Sequence, residues 1–337
     1  MERNLNEPLV DLAKEHSRRV SYIEWHPTAD NILVSIGLDH KVIVWNIAQS
    51  EVIVKINCHP DVIQSLSFNL NGSQFATTCK DKILRIIETR TGKVIKSGNC
   101  HQGTKASKVV FLGNTGKLFT VGFARHYDRQ YAVWNVNDLS QPLVMETIDS
   151  SSGVLLPFYD HDTRLIYLVG KGDGNVRYYE ITDQPPYCHY LSQFLSGSPQ
   201  KGVGWMPKRG CDYVKCEIAR FYKLHANKPL CEPISMIVPR KSVQFHEDIY
   251  PPTAAPIAAM TADQFIAGEN RDPIFRSLRE MVSFNLNFIK NFFFSFLFLL
   301  KCFFFRLKTI LLKQTNPLCY QNFLRTITKF LIIMALN

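Results

Sequence analysis

Acidic residues are absent from the last 55 positions, Ser283 to Asn337, which hold seven lysines and arginines and 12 of the 23 phenylalanines. Seven of the ten formal positive charges therefore lie in this tail, and the first 282 residues are close to neutral. A net charge of +10 spread over the whole surface would suggest nucleic acid or an anionic membrane. Its confinement to the tail removes nucleic acid from the expected partners. No CxxC pair occurs among the nine cysteines, which excludes the usual structural zinc site although Cys58-His59 and Cys100-His101 are adjacent. Their odd number and irregular spacing fit free thiols in a reducing compartment. The opening MERNLNEPLVDLAKEH lacks the apolar stretch of a secretory leader. No GKS or GKT accompanies KGDGNVRYYE, so its glycines read as a hairpin turn and not as a phosphate loop. No heptad pattern is sustained after Arg279, so no coiled-coil oligomerisation is expected. Catalytic residues, metals and cofactors are not expected either.

What is present is a repeat. SYIEWHPTADNILVSIGLDHKVIVWNI, SLSFNLNGSQFATTCKDKILRIIE and KVVFLGNTGKLFTVGFARHYDRQYAVWNV share one layout of strand, polar turn, strand, turn and strand. Trp25, Phe68 and Phe111 are 43 residues apart, and His16, His59 and His101 follow at gaps of 43 and 42. A third ladder runs through Trp45, Ile87, Trp134, Tyr179 and Tyr222, with gaps of 42, 47, 45 and 43. A period of about 40–45 residues with several short strands per unit signals a β-propeller, because one such unit has an apolar face that only its neighbours can bury. The expected fold is all-β, a WD40-type propeller of five four-stranded blades at about 14–53, 57–96, 99–141, 144–186 and 196–239, with the ladder residues on equivalent strands.

The repeats carry a polar signature. Asp39 lies six residues before Trp45, Ser35 four before Asp39, and His16 upstream. Such residues can form a hydrogen-bond chain ending at the indole, which would pin the blade, since buried polar groups require partners. Thr77 repeats the Ser35 position; Asp81 to Ile87, Asp128 to Trp134 and Asp173 to Tyr179 repeat the six-residue step. A catalytic His-Ser-Asp reading fails on this recurrence, because an enzyme does not need one triad per blade. The structural network is therefore expected at His16, Ser35, Asp39, Trp45, His59, Thr77, Asp81, His101, Asp128, Trp134, Asp173 and Tyr179. Phe158, Tyr178 and Tyr179 are expected between blades.

The tracts HSRRVSYIEWHPTADNILVSIGLDHKVIVWN, FLGNTGKLFTVGFARHYDRQYAVWNVNDLSQPL, EPISMIVPRKS, DIYPPT and TADQFIAGENRDPIFRSLRE closely resemble the coronin family, nearest its second vertebrate-like type. The resemblance covers about residues 14–280, and EPISMIVPRKS and DIYPPT are not generic WD features. It implies a seven-bladed propeller of which the first two blades are missing here, with an extension packed on its underside. It also implies actin filaments as partner, the Arp2/3 complex as a partner of the full-length form, and a cytoplasmic, cytoskeletal location. Binding by this chain is expected to be impaired. Basic residues that could face an acidic partner are Arg18, Arg19, Lys41, Lys80, Lys82 and Arg85. A generic WD-repeat interaction scaffold and a tail-anchored membrane protein remain alternatives.

Three segments follow: blades at 14–239, an extension at 240–281 and a Phe/Lys-rich tail at 282–337. In the extension, Thr261 should cap a short helix from Ala262 that ends near Gly268, and Asp272-Pro273 should open another helical turn. In the tail, Lys301 would lie too deep for the span 284–305, so membrane insertion is not expected. Its Phe, Leu, Ile, Lys and Asn are residues favoured by T- and A-rich codons, and it reads as translated intron, helical or disordered.

Overall fold

The computed structural model describes residue 12, residues 15–242 and residues 244–279. The tail at 282–337 and its expected helical or disordered state lie outside the described residues. Among the described residues no helix is long and apolar enough to cross a membrane.

Five antiparallel sheets follow one another along the chain, each in strict sequence order. The first blade is β1 (Val20–Trp25), β2 (Ile32–Gly37), β3 (Val42–Asn46) and β4 (Glu51–Ile56). The second is β5 (Ile63–Phe68), β6 (Gln74–Cys79), β7 (Ile83–Glu88) and β8 (Val94–Asn99). The third is β9 (Lys108–Phe111), β10 (Lys117–Phe123), β11 (Arg129–Asn135) and β12 (Val144–Asp149). The fourth is β13 (Leu155–Asp160), β14 (Leu165–Gly170), β15 (Asn175–Ile181) and β16 (Cys188–Leu195). The fifth has three strands, β17 (Gln200–Trp205), β18 (Glu217–His225) and β19 (Cys231–Ile237). This is a five-bladed WD40-type β-propeller with a short region beyond it.

The middle strands show why the blades need one another. Every residue of β2 (ILVSIG) and of β3 (VIVWN) is buried. A strand buried on both faces loses the alternation of a half-exposed sheet and reads as a continuous apolar run. The outer strands stay partly exposed, as in β8. The cores accordingly form between blades. Ile36, Val42 and Val44 of the first blade pack with Leu66 and Phe75 of the second. Leu84 and Ile86 of the second meet Leu118 and Trp134 of the third. Phe119 and Tyr131 join Ile166 and Tyr179 across the next seam, and Tyr167 and Val169 join Phe221 and Ile234 across the last. Phe158 lies 5.8 Å from Trp205 and 5.6 Å from Phe221, and Tyr178 packs in the same layer, so these aromatics belong to the seam between the fourth and fifth blades.

The third-strand ladder holds in four blades and breaks in the fifth. Trp45, Ile87, Trp134 and Tyr179 lie on β3, β7, β11 and β15. A register shift falls beside Trp45, Ile87 and Tyr179, where each third strand meets its outer neighbour. Tyr222 instead lies on β18, the second strand of its sheet, paired with Gly204 and Pro233. Two 3₁₀ turns, Lys208–Gly210 and Tyr213–Lys215, lengthen the connection between β17 and β18, so the sequence interval of 43 residues no longer counts strands.

After β19 the chain becomes a strap across the face made by the first-to-second-strand turns. Tyr250 donates its hydroxyl to the Glu217 carbonyl of the fifth blade at 2.9 Å. β20 (Thr253–Ala254) pairs with β21 (Phe275–Arg276), and the ring of Phe275 lies 6.0 Å from that of His161 in the fourth. The Ala259 amide then donates to the Thr28 carbonyl at 2.8 Å, and Asp30 donates to Met260 at 3.0 Å, reaching the first blade. Helix α1 (Ala262–Ile266) begins in a capping box between Thr261 and Gln264, and Gly268 takes φ +105° just past its end. The helical turn expected at Asp272-Pro273 does not form. Ile274 uses its carbonyl for the Ala255 amide at 2.8 Å, so the segment runs on as strand.

Phe265 pins the strap. It is fully buried, meets the His26 ring edge-on at 4.7 Å, and lies 4.3 Å beneath the Arg90 guanidinium of the second blade. Arg90 also donates to the carbonyls of Phe265 and Glu269 and, at 2.9 Å, to Asn270 Oδ1. Phe265→Ala should therefore lower stability by about 3–5 kcal/mol in urea denaturation, the usual range for a fully buried phenylalanine. Arg90→Ala should cost less, about 1–3 kcal/mol. An unchanged denaturation midpoint in Phe265→Ala would show that the strap does not stabilise the blades.

Candidate interaction surface

The opposite face is built from the second-to-third-strand turns and from the segments that enter each blade. In the first blade these bring His16, Ser35, Asp39 and Trp45 together. Trp45 Nε1 donates to Ser35 Oγ at 2.8 Å, and Ser35 Oγ lies 2.7 Å from His16 Nε2. His16 Nδ1 lies 3.0 Å from Asp39 Oδ1. One neutral tautomer satisfies the chain: Nδ1–H donates to Asp39 while Nε2 accepts the Ser35 proton. Burial opposes ionisation of Asp39, but hydrogen bonds from His16, from the Ser17 amide and from Lys41 hold its carboxyl below the usual range. Nothing here is aimed at a substrate, because the serine proton already has its acceptor inside the blade.

The later blades keep parts of this arrangement. His59 Nε2 reaches Thr77 Oγ1 at 2.9 Å, but Ile87 replaces the indole, and Asp81 turns to Arg85 at 2.6 Å. In the third blade His101 Nε2 and Trp134 Nε1 both lie 2.9 Å from Thr120 Oγ1. Thr120, four residues before Ala124 and opposite Ala132, holds the Ser35 place and went unrecognised in the sequence, although it lies 14 residues before its tryptophan where Ser35 lies ten before Trp45. Asp128 makes no hydrogen bond to His101; the longer β10–β11 turn carries it away. Asp173 accepts from Arg129 of the preceding blade at 2.7 Å, and the Tyr179 ring lies tilted 5.6 Å from that of Tyr131, with no histidine partner among the described residues. One signal was available for these contacts. Gly37 and Gly170 end β2 and β14, where a Cβ would approach Asp39 Oδ1 and Asp173 Oδ2 to 2.1 Å. Glycine at these strand ends leaves room for the carboxylate.

The same face carries the basic residues. Arg18, Arg19 and Lys80 are exposed, whereas Lys41, Lys82 and Arg85 are half-buried. Arg85 is spent on Asp81, Lys82 donates to the Gln102 carbonyl at 2.8 Å, and Lys80 lies 3.7 Å from Asp61. Arg18, Arg19 and Lys41 have no ion pair among the described residues. Exposed Arg125, in the β10–β11 turn, extends this basic rim to the third blade. Arg129, missed in the sequence, is the buried centre of a second cluster: it holds Asp149 at 2.6 Å within its blade and Asp173 across the seam, while Arg177 reaches Asp149 at 2.7 Å. Among the described residues no group of His, Cys, Asp and Glu could hold a metal ion.

Comparison with known proteins places this fold. A model described as "WD domain, G-beta repeat" matches residues 7–46 and 50–88, and one described as "Type of WD40 repeat" matches 231–273. The WD40 domain of Toxoplasma gondii coronin superimposes with a TM-score of 0.73 at 32% identity, covering 77% of this chain and 67% of that one. The chain belongs to the coronin family of WD-repeat proteins. It is 54% identical over 269 residues to Coronin-2A of Homo sapiens, covering 78% of this chain and 51% of that protein. It is 53% identical over 315 residues to Coronin-2B of Homo sapiens, covering 79% of this chain and 65% of that protein. The chain thus spans about half to two thirds of the length of these coronins.

The buried histidines make the coronin blades acid-sensitive. Burial pushes the imidazoles of His59 and His101 down to about 4, with Arg85 adding to the effect at His59. The unfolded chain takes up these protons near pH 6.5, so it binds more protons than the native state between about pH 6.5 and 4. Stability therefore falls as pH drops through that window, by up to about 3 kcal/mol per histidine. Urea midpoints measured across it should decline, and less steeply in a His59→Gln/His101→Gln variant. Equal slopes in the two proteins would refute the assignment.

Proposed function

We propose that this coronin-family chain binds actin filaments and helps to organise the actin cytoskeleton through the face opposite the strap. The observation that carries the reading is the basic rim on that face, where Arg18, Arg19, Lys41 and Arg125 have no ion pair among the described residues while the strap covers the other side. Cations without an internal partner stay available to an acidic protein surface, where they speed encounter and fix orientation more than they add affinity. The six sequence-nominated basic residues then separate into two groups. Arg18, Arg19 and Lys41 are the contact group, and Lys80, Lys82 and Arg85 serve the blades.

A cytoplasmic, cytoskeletal location accords with this role, and the Arp2/3 complex is proposed as a further partner of the full-length form. One propeller engages a filament through one site, without the avidity that linked sites provide. The 337-residue chain should therefore bind more weakly than a full-length coronin.

Filament cosedimentation tests the reading. Binding should be detectable at about 0.05 M salt, fall at about 0.15 M, and lie below that of full-length Coronin-2A in both. Arg18→Glu/Arg19→Glu/Lys41→Glu should bind about tenfold or more weakly with an unchanged melting temperature. A charge-reversed protein that sediments with filaments as well as the parent would remove this face from the function.

A further inference from the structure

The outermost strands of the blades differ in how they treat their open edges. An edge strand presents backbone N–H and C=O groups that its own sheet does not use, and proteins blunt such edges with charge, proline or a short strand. β4 (EVIVKI) carries Glu51 and Lys55, β8 (VIKSGN) carries Lys96, β12 (VMETID) carries Glu146 and Asp149, and β19 (CEPISMI) carries Glu232 and Pro233. β16 (CHYLSQFL) is the exception. At eight residues it is the longest of these strands, and it contains no Asp, Glu, Lys, Arg, Pro or Gly. Among the described residues no strand pairs with its outer edge.

The side chains of β16 add apolar surface to that open edge. Tyr190 is 54% exposed, Leu191 46% and Leu195 70%. A register shift leaves Leu191 without an opposite residue on β15, where Tyr178 pairs with Ser192 and Tyr179 with Tyr190. Such a bulge twists an edge, but the same shift recurs in β4 and β8, so it gives β16 no protection that those strands lack. The inner flank is firmly held. Tyr190 meets Tyr179 edge-on at 5.4 Å, and Asn175 donates to the Gln193 side chain at 3.0 Å. β16 is thus kept extended, with its free edge outward.

We infer that β16 pairs antiparallel with β16 of a second copy of this chain, about a two-fold axis near the strand midpoint between Leu191 and Ser192. Charge selects a second copy over an unrelated strand. A two-fold contact confronts a strand with its own charges, and β16 alone among the outer strands has no acid, lysine or arginine to confront. A foreign strand is best selected by opposite charge, which β16 does not offer. The contact is isologous, so it closes at two copies. Eight residues span about 27 Å at about 3.4 Å per residue, a strip smaller than the interface of a permanent dimer. The association is therefore weak, and the single propeller is the state at low concentration. Outer strands line the perimeter of the blades, so pairing leaves both the strap and the basic rim open. The inference does not depend on the actin reading.

Sedimentation velocity of the whole chain tests the contact between about 5 and 200 μM, a range in which a weak interface titrates. The parent should move from monomer toward dimer as concentration rises, and amide exchange in residues 188–195 should slow in step. Leu191→Lys sets like charges beside the axis and should weaken association about tenfold or more. Leu195→Lys, at a more exposed side chain, should weaken it as well and covers a loss of folding in Leu191→Lys. Met145→Lys changes an exposed apolar residue on β12 and should leave association as in the parent. A parent that stays monomeric over the whole range overturns the inference and leaves the edge to a strand of another protein. Association that survives both β16 variants, that Met145→Lys weakens equally, or that leaves exchange in β16 unchanged also overturns it.

Discussion

Burial of each blade against its neighbour is the constraint on which the rest of this molecule depends. A four-stranded sheet whose middle strands are apolar on both faces has no stable existence alone, and β2 and β3 are buried throughout. Four successive seams contain residues from two blades each, and a smaller cluster of Leu33, Ile43 and Trp45 lies within the first blade. The polar networks, the strap and the two faces are all arranged around that fact. A substitution in one seam, such as at Phe119 or Phe221, is felt by two blades at once.

Within that frame the hydrogen-bond chains have a secondary role. The Trp45–Ser35–His16–Asp39 chain ties the third strand to the second and both to the segment entering the blade. Where the indole is replaced, as at Ile87, the histidine and threonine still pair and the aspartate finds an arginine. The second blade remains well formed, so its fold tolerates a partial network as long as every buried polar group finds some partner. In the seam between the third and fourth blades the same positions are used differently. Asp173 there joins Arg129 of its neighbour, and a device for pinning one blade becomes a clamp between two.

The strap gives the molecule two unlike faces. On one, Met260, Phe265 and Arg90 join a late segment to the first two blades, and the turns beneath it are covered. The other carries turn residues whose charges are only partly consumed by internal pairs. That asymmetry leaves the turns of one side uncovered by the strap without any change in the blades themselves. The lysines and arginines divide accordingly: Lys80, Lys82 and Arg85 have partners within the blades, and Arg18, Arg19 and Lys41 have no ion pair among the described residues.

The sequence by itself determined the repeat, the all-β propeller and the family. These are carried by local patterns, the 43-residue spacing of Trp25, Phe68 and Phe111 and segments such as DIYPPT, and local patterns need no knowledge of what lies across a seam. It also marked the capped helix at Thr261, because a capping box is a four-residue device. Only the tertiary structure decided that Tyr222 stands on a second strand, that Phe275 pairs with Ala254, and that Asp173 serves Arg129 rather than a histidine. Each of those outcomes depends on a partner 11 to 44 residues away or on the length of a connecting turn. The Arg129–Asp173 and Arg177–Asp149 pairs belong to the same class. Both arise where two blades meet, and the geometry of a seam is a property of two repeats packed together that neither repeat encodes alone.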